Sequence, residues 1–151
     1  MGKKKVIKKS EEELLKERED IESKIQKGVS TPRARKAIKN GCLYIFSSYN
    51  NTILTLTDEE GNVLFWASSG KIGFKGTKKG TPYAANRVAE LIAQTIQKLK
   101  LDKINIKVKG IGGGRESSIR ALASRGINIV SIEDLTPVPH NGCRAPKPRR
   151  N

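Results

Sequence analysis

The chain has 151 residues, enough for one domain with a hydrophobic core and polar extensions. Its 30 lysines and arginines against 15 acidic residues give a formal net charge of +15, which indicates a polyanionic partner, either nucleic acid or an anionic membrane surface. No apolar run approaches the roughly 18–20 residues that a membrane-spanning helix requires, so the sequence argues against a membrane partner and favours nucleic acid.

Residues 1–40 are predicted to be a polar extension that contains one short helix. Within residues 10–27, Ser10 and Glu13 have the spacing of a capping box, and Gly28 is a typical helix end. The helix would carry a thin apolar stripe: Leu14, Leu15, Ile21 and Ile25. Two alternatives stay open, a peripheral helix on the core and a solvated helix that docks only in an assembly.

Residues 41–136 hold most of the apolar content and are predicted to form an α/β core domain. Alternating residues predict three strands, at 43–48, 52–57 and 63–67. Asn50-Asn51, which tolerates a positive φ, is predicted to turn the chain between the first two strands, and residues 58–62 form the next turn. Two tight turns imply an antiparallel meander.

The next elements are a glycine-rich loop and a long helix. Residues 68–80 contain four glycines and four lysines and are predicted to be a loop. Thr81 as N-cap and Pro82 at the first helical position then open a helix. Its apolar residues recur at helical spacing as far as Leu99, which predicts that the helix packs on a sheet.

The last part of the core alternates strand and helix. Ile104, Ile106 and Val108 indicate a strand, residues 116–124 a helix, and residues 127–132 a final strand. This spacing implies right-handed parallel crossovers. The fold class is therefore α/β, with a mixed sheet made of an antiparallel meander followed by parallel βαβαβ units and covered by helices.

Residues 137–151 are predicted to be an extended basic arm. Four prolines remove backbone donors and fix φ, which excludes a helix or a central strand. The arm carries four basic residues and no acid: Arg144, Lys147, Arg149 and Arg150. Such a segment suits contact with phosphate groups.

The glycine-rich loop is a candidate phosphate-binding site. Its glycines would let the backbone approach a phosphate, and Phe74 could stack on a base. The lysines concerned are Lys71, Lys75, Lys78 and Lys79. The alternative is a solvated charged loop, and binding is favoured because of the overall charge and the helix N-terminus that follows.

A second candidate is the glycine run between a strand and a helix. Gly112, Gly113, Gly114 and Arg115 lie where phosphate cradles occur. Arg115 stands where a dinucleotide fingerprint needs glycine, and no Walker A motif is present. The alternatives are contact with an RNA phosphate, a plain packing turn and a nucleotide site. Arg120 and Arg125 are either further RNA contacts or ordinary surface charges.

No catalytic constellation is visible, so we expect the protein not to be an enzyme. A mixed sheet of this order can support two-metal nuclease chemistry, but that needs converging carboxylates. Asp58, Glu59 and Glu60 lie in a turn, and Glu133-Asp134 stands alone after the last strand.

The cysteines and the first residues indicate a cytoplasmic protein. Cys42 and Cys143 have no metal-ligand spacing and are interpreted as reduced thiols. The N-terminus lacks the apolar segment of a secretion signal, and Glu11 to Glu13 argue against a transit peptide. Since His140 is the only histidine, we expect no metal site and no cofactor, with Mg²⁺ entering only through bound RNA.

Asn141-Gly142 is a candidate modification site. Glycine has no Cβ to hinder attack of its amide nitrogen on the Asn141 side chain, so isoaspartate formation is chemically easy there. The alternative, which the sequence favours, is an intact asparagine in a turn.

Five motifs occur in order along residues 41–150: Tyr49-Asn50-Asn51-Thr52-Ile53, Gly73-Phe74-Lys75-Gly76, Thr81-Pro82-Tyr83-Ala84-Ala85, Gly110-Ile111-Gly112-Gly113-Gly114-Arg115 and the segment from Asp134 to Arg144. Together they resemble the bacterial form of the small-subunit ribosomal protein S-eleven family. The arm departs from the family pattern at Ala145, where proline is usual, and at Pro148, where a basic residue is usual.

The resemblance implies a three-layer α/β/α ribonuclease-H-like fold without nuclease activity. It implies binding to small-subunit ribosomal RNA on the platform, near the mRNA exit side, in support of assembly and translation. The implied neighbours are the proteins that the family calls S-seven, S-eighteen and S-six, with S-twenty-one in some organisms. The implied RNA contacts are Asn50, Asn51, the Lys71–Lys79 loop, Gly112–Arg115 and His140–Arg150, which include His140 and Asn141.

Two other functions are weighed against this one. The first is an RNA-acting, metal-dependent enzyme on a ribonuclease-H-like fold, which the scattered carboxylates argue against. The second is a free RNA-binding translational regulator, whose RNA contacts would look the same in the sequence.

Overall fold

The computed structural model describes residues 15–16, 18–23, 39–144 and 146. Five strands form one sheet in the order β3-β2-β1-β4-β5. The elements are β1 (Asn40–Ser47), β2 (Thr52–Thr57), β3 (Val63–Ser68), α1 (Ser69–Ile72), a 3₁₀ helix (Gly76–Gly80), α2 (Pro82–Leu99), β4 (Lys103–Gly110), α3 (Gly114–Ser124) and β5 (Ile129–Asp134).

The sheet is mixed, as the sequence predicts. β2 pairs antiparallel with both β1 and β3, which gives the predicted meander. β4 pairs parallel with both β1 and β5. β1 therefore lies at the centre of the sheet, between one antiparallel and one parallel neighbour.

The hydrophobic core lies on one face of the sheet, beneath α2 and α3. Leu43 and Ile45 on β1 are buried, and the residues that alternate with them face the opposite side. Ile106 on β4 and Leu122 on α3 are fully buried in the same cluster. The structure confirms the predicted α/β class and is consistent with a three-layer α/β/α fold. The described residues supply the sheet and the helical layer of α2 and α3.

The sheet face opposite α2 and α3 is called the open face below. In the described residues no helix covers it, and Tyr44, Phe46 and Trp66 on that side are substantially exposed. These residues face away from the core because successive side chains of a strand point to opposite faces of the sheet.

α2 forms where the sequence predicts it. The Thr81 side chain accepts a hydrogen bond from the Ala84 N–H, and Pro82 occupies the first turn, where no donor is needed. The predicted apolar stripe is buried against the sheet, including Val88 and Ile92. The helix ends at Lys100, which adopts a left-handed conformation with φ of 53°.

The predicted loop at 68–80 is wrong, because two short helices occupy most of it. Ser68 caps α1 by accepting a hydrogen bond from the Lys71 N–H, and Gly73, with φ of 117°, ends it. Phe74 is buried in the core, with its ring edge-on to Tyr83, so it does not present a surface on which a base can stack. Ile72 and Phe74 are apolar residues within this polar segment, and their burial in the core explains why the segment folds.

Boundaries near the last two elements also differ from the prediction. α3 begins at Gly114, two residues before the predicted start. β5 runs from Ile129 to Asp134, two residues later than the predicted strand. The reason is that Gly126 has a positive φ and the Ile127 N–H still bonds to the Leu122 carbonyl, which ends α3 before the strand can pair.

The turn between β1 and β2 closes without the positive φ that Asn50-Asn51 would tolerate. The Ser48 N–H donates to the Asn51 carbonyl over 2.9 Å, and the Asn51 N–H donates to Ser48 Oγ over 3.2 Å. A serine side chain therefore supplies the turn geometry.

The described part of the N-terminal extension is helical at residues 15–16 and 18–23. Ile21 packs against the core cluster, and Glu22 lies 4.0 Å from Arg87 on α2. These contacts support the peripheral-helix alternative for residues 18–23. The predicted capping box at Ser10 and the predicted end at Gly28 lie outside the described residues.

Candidate nucleic-acid interface

Three predicted sites meet at one end of the sheet, which we call the glycine corner. It consists of the β1–β2 turn, the residues before α2 and the glycine run 110–114. The Gly112 N–H donates to the Ser47 carbonyl over 2.9 Å, and the Gly114 N–H donates to Ser47 Oγ over 3.2 Å. The last residue of β1 therefore holds the glycine run in place.

Glycine is required at the corner because backbones approach each other closely. A Cβ at Gly114 would clash with Thr52 Oγ1, and a Cβ at Gly112 would clash with the Ser48 carbonyl. Gly113 differs: it is exposed, and its nearest neighbour would be Pro82 Cγ at 3.8 Å. The structure thus gives the packing-turn alternative direct support at Gly112 and Gly114, and leaves Gly113 at the surface.

Lysines flank the corner just before α2. Lys75 and Lys78 are exposed and Lys79 is half-buried. Gly80 lies against the Tyr49 carbonyl, which joins this segment to the β1–β2 turn. Because the first turn of α2 has no acidic residue, the lysines and the positive end of the helix dipole favour the same anion.

Lys71 lies apart from the other three lysines. Its Nζ donates to the Trp66 carbonyl over 3.1 Å and lies 4.5 Å from the centroid of the Trp66 ring. It therefore belongs to the β3 edge of the sheet, next to the open face.

The two asparagines lie at the surface of the corner. Asn50 is exposed and Asn51 is half-buried. Among the described residues, Asn51 Oδ1 is a buried side-chain acceptor with no hydrogen-bond partner. A buried acceptor without a donor is costly, so this oxygen is a local weak point of the β1–β2 turn.

Arg115 is half-buried and is held by contacts within the protein. It pairs with Asp134, and its Nη1 donates to the Gly110 carbonyl over 2.6 Å. Hydrogen bonds from Thr136 and then from Arg115 lower the pKa of Asp134 to about 2. The Gly110 N–H in turn donates to Thr136 Oγ1 over 3.1 Å. This network ties the start of α3 to the end of β5.

The structure does not bring Arg125 to the corner. Arg125 follows the last turn of α3, about 16 Å along the helix from Gly114, and pairs with Glu90 over 3.0 Å. Arg120 is exposed halfway along α3, beside a groove of about 560 Å³ between α2 and α3. Both arginines therefore lie on the helical side of the molecule.

The C-terminal arm leaves the sheet beside the corner. The Leu135 N–H extends the β4–β5 pairing by donating to the Val108 carbonyl over 2.7 Å. His140, Asn141 and Arg144 are exposed, and Asn141 has a φ of 51°. Lys147, Arg149 and Arg150 lie outside the described residues.

The described residues do not assemble a metal-binding cluster. No cluster of three or more histidine, cysteine or acidic residues is found among them. Asn40 Nδ2, at the start of β1, donates to Glu59 Oε1 over 2.8 Å, whereas Asp134 lies next to Val108 at the other end of the sheet. The carboxylates considered for nuclease chemistry are thus separated by the length of the strands.

Two further features concern thiols and membranes. Cys42 is half-buried, Cys143 is exposed, and both are free. Within the described ranges, no helix has the length and apolarity to span a bilayer.

Sequence reasoning overlooked the basic and aromatic residues of the open face. The residues on β4 that alternate with buried Ile106 and Val108 are Lys107 and Lys109. The signal was present in the same alternation that predicted the strand, since the residues between core positions must face the other side.

The comparisons with known proteins agree with one another. The sequence model of the family described as Ribosomal protein S11 matches residues 41–150. A Small ribosomal subunit protein uS11 from Leptothrix cholodnii is 54% identical over 118 residues, 78% of this chain and 88% of that protein. A Small ribosomal subunit protein uS11 from Methylibium petroleiphilum is 52% identical over 118 residues, which cover 78% of this chain and 89% of that protein. The chain therefore belongs to the ribosomal protein S11 family of the small ribosomal subunit.

Proposed function

We propose that this protein is a structural component of the small ribosomal subunit that binds ribosomal RNA and performs no catalysis. The observation that carries the proposal is the glycine corner, where lysines and the N-terminus of α2 converge at one surface. Lysines bind phosphate groups, and a helix N-terminus carries a partial positive charge that favours an anion.

The position in the subunit is part of the proposal. We place the protein on the platform near the mRNA exit side, where it supports assembly and translation in the cytoplasm. Its neighbours would be the S-seven, S-eighteen and S-six proteins, and S-twenty-one where it occurs. Mg²⁺ would be present only through the RNA. In this arrangement residues 41–136 are the core domain and residues 1–40 and 137–151 are extensions.

Full-length protein binding to small-subunit ribosomal RNA tests the proposal. The double variant Lys75→Ala/Lys79→Ala is expected to bind more weakly, and its slope of log affinity against log salt should fall by about 1.5, because two phosphate contacts are lost. The matched control is Lys39→Ala/Lys98→Ala, which removes two exposed lysines away from the corner. Equal losses in both variants would show that net charge alone matters and would contradict the corner as the interface.

The same RNA preparation separates the two other functions. An RNA-acting enzyme would cleave it in the presence of a divalent metal, and cleavage would disappear in Glu133→Gln or Asp134→Asn. A free regulator would bind an mRNA more tightly than ribosomal RNA at the same salt concentration. Salt-dependent binding to ribosomal RNA without turnover is the result that we expect.

A further inference from the structure

The open face presents aromatic rings to solvent on the central strand β1 and on the edge strand β3. Tyr44, Phe46 and Trp66 are 37%, 44% and 50% exposed. Leu43 and Ile45, which alternate with the first two on β1, are buried on the other side. Contiguous exposed aromatic side chains on a folded protein mark a place where something binds.

Strand pairing arranges these rings around a shallow groove. Thr55 pairs with both Tyr44 and Trp66, so the two aromatic residues flank β2 at the same level. β1 and β3 lie about 9.6 Å apart across β2, since neighbouring strands are separated by about 4.8 Å. Phe46 lies about 6.8 Å further along β1 and pairs with Ile53. The half-buried Thr55 and Ile53 form the floor of the groove.

Cations accompany each ring. Lys107 Nζ lies 5.7 Å from the centroid of the Tyr44 ring, and Lys71 Nζ lies 4.5 Å from the centroid of the Trp66 ring. Lys109 pairs with Phe46 across β1 and β4 and is exposed. One acid, Glu133, pairs with Lys107 on the neighbouring strand β5. The groove is therefore aromatic and positively charged at once.

We propose that the open face binds single-stranded RNA, with bases stacked on Tyr44, Phe46 and Trp66 and phosphates held by the lysines. Surfaces that combine aromatic side chains with a basic groove are typical of single-strand binding. The centres of protein–protein interfaces are instead depleted in lysine, so a protein partner fits this face less well. The inference rests on the proposed function, because it requires RNA beside the protein, but it adds a surface separate from the glycine corner.

Trp66 is the only tryptophan in the chain, so its fluorescence reports on this face alone. Full-length protein is titrated with a short oligouridylate, because base stacking tolerates any sequence. We expect saturable quenching of Trp66 with the same Kd as the anisotropy of the labelled RNA. Phe46→Leu, which keeps apolar bulk but removes the ring, should weaken binding about tenfold. Phe46→Tyr, which keeps an aromatic ring, should bind the oligouridylate as tightly as the unsubstituted protein.

Leu135→Val is the matched control, since Leu135 is an exposed apolar residue outside the groove, and it should leave the Kd unchanged. Anisotropy that shows RNA binding without Trp66 quenching would contradict this inference and leave the proposed function standing. No binding of oligouridylate or of ribosomal RNA by anisotropy would contradict both. Quenching of Trp66 by purified small-subunit proteins in the absence of RNA would assign the face to a protein partner and overturn the proposal.

Discussion

Single atoms decide how the glycine corner is built. Ser47 uses its carbonyl for the Gly112 N–H and its hydroxyl for the Gly114 N–H. These two bonds satisfy amide groups that would otherwise be free to bind an anion. The surface that remains for RNA at this turn is therefore Gly113 and its surroundings rather than the whole run.

The glycines at the corner differ sharply in what a methyl group would meet. Gly114→Ala should destabilise the protein by about 2 kcal/mol, because its Cβ would clash with Thr52 Oγ1 and overpack the buried joint. Gly113→Ala, the matched control, has room for a Cβ and should change the free energy of unfolding by less than about 0.5 kcal/mol. Urea unfolding measures both. Similar values for the two variants would refute the close-packing account.

Asn141 is the candidate site of backbone chemistry, although the sequence favours an intact asparagine. The following glycine does not hinder attack on the Asn141 side chain, so only a minor fraction of the population should carry isoaspartate at position 141. Peptide mapping of aged protein with an isoaspartate-specific assay measures that fraction, and Gly142→Val, which hinders the attack, is the control. A peptide map that finds only intact asparagine would dispose of the expectation.

At the scale of elements, the Arg115–Asp134–Thr136 network joins α3, β5 and the arm. Arg115 reaches from α3 to Asp134 at the end of β5, and Thr136 donates to Asp134 Oδ1 over 2.6 Å. Arg115 therefore holds the point where the arm leaves the sheet, in addition to any contact with RNA. The direction of the arm depends on these three side chains.

This network predicts how stability changes with pH. The pKa of Asp134 in the folded protein is about 2, below its ordinary value of 3.8, so the folded state binds fewer protons between these values. The contribution of the Asp134 carboxylate to the free energy of unfolding is present above pH of about 4 and is lost as the pH falls through about 2. As the pH falls from about 4 to about 2, the Asp134→Asn variant should therefore lose less stability than the unsubstituted protein. Urea unfolding at each pH measures the loss.

The control for this prediction is Asp102→Asn, which removes an exposed carboxylate at the other end of the sheet. It should show the same acid dependence as the unsubstituted protein. If Asp134→Asn and Asp102→Asn behave alike, the network does not contribute to acid stability.

At the scale of the whole molecule, α2 and α3 bury one face of the sheet, and within the part of the chain that the structure describes no helix covers the other. The core side is apolar and closed, whereas the corner, the open face and the arm carry lysine and arginine. A net charge of +15 on so short a chain favours a polyanionic partner.

Deletion of residues 140–151 tests the arm as a phosphate-binding segment. Four lysines and arginines are lost, and with them up to four phosphate contacts, so affinity for ribosomal RNA should fall and the salt slope should decrease by up to about 3. A full-length variant with Arg144, Lys147, Arg149 and Arg150 all changed to alanine should show the same slope. An unchanged slope after deletion would exclude the arm from phosphate contact.

Much of the fold could be predicted because its signals are local. Strands at β1 and β2 and the start of α2 follow from two-residue alternation and from Thr81-Pro82, which need no distant partner. The segment 68–80 could not be predicted, because the burial of Phe74 depends on where α2 packs. The structure brings three of the predicted segments together at the corner, whereas Lys71 contacts β3 and Arg125 pairs with Glu90 on α2. Contact of these residues with RNA stays a prediction.

The sequence by itself determined the order of the five strands and the two long helices and the sign of the charge, since side-chain period, capping and composition are properties of neighbouring residues. Only the tertiary structure decided which groups meet. Ser47 lies far from Gly114 in the chain, as Arg115 does from Asp134, and their bonds exist only once β1, β4 and β5 are paired. The exposure of Trp66 was settled in the same way, because a strand pattern shows that two faces exist and not which of them a helix covers.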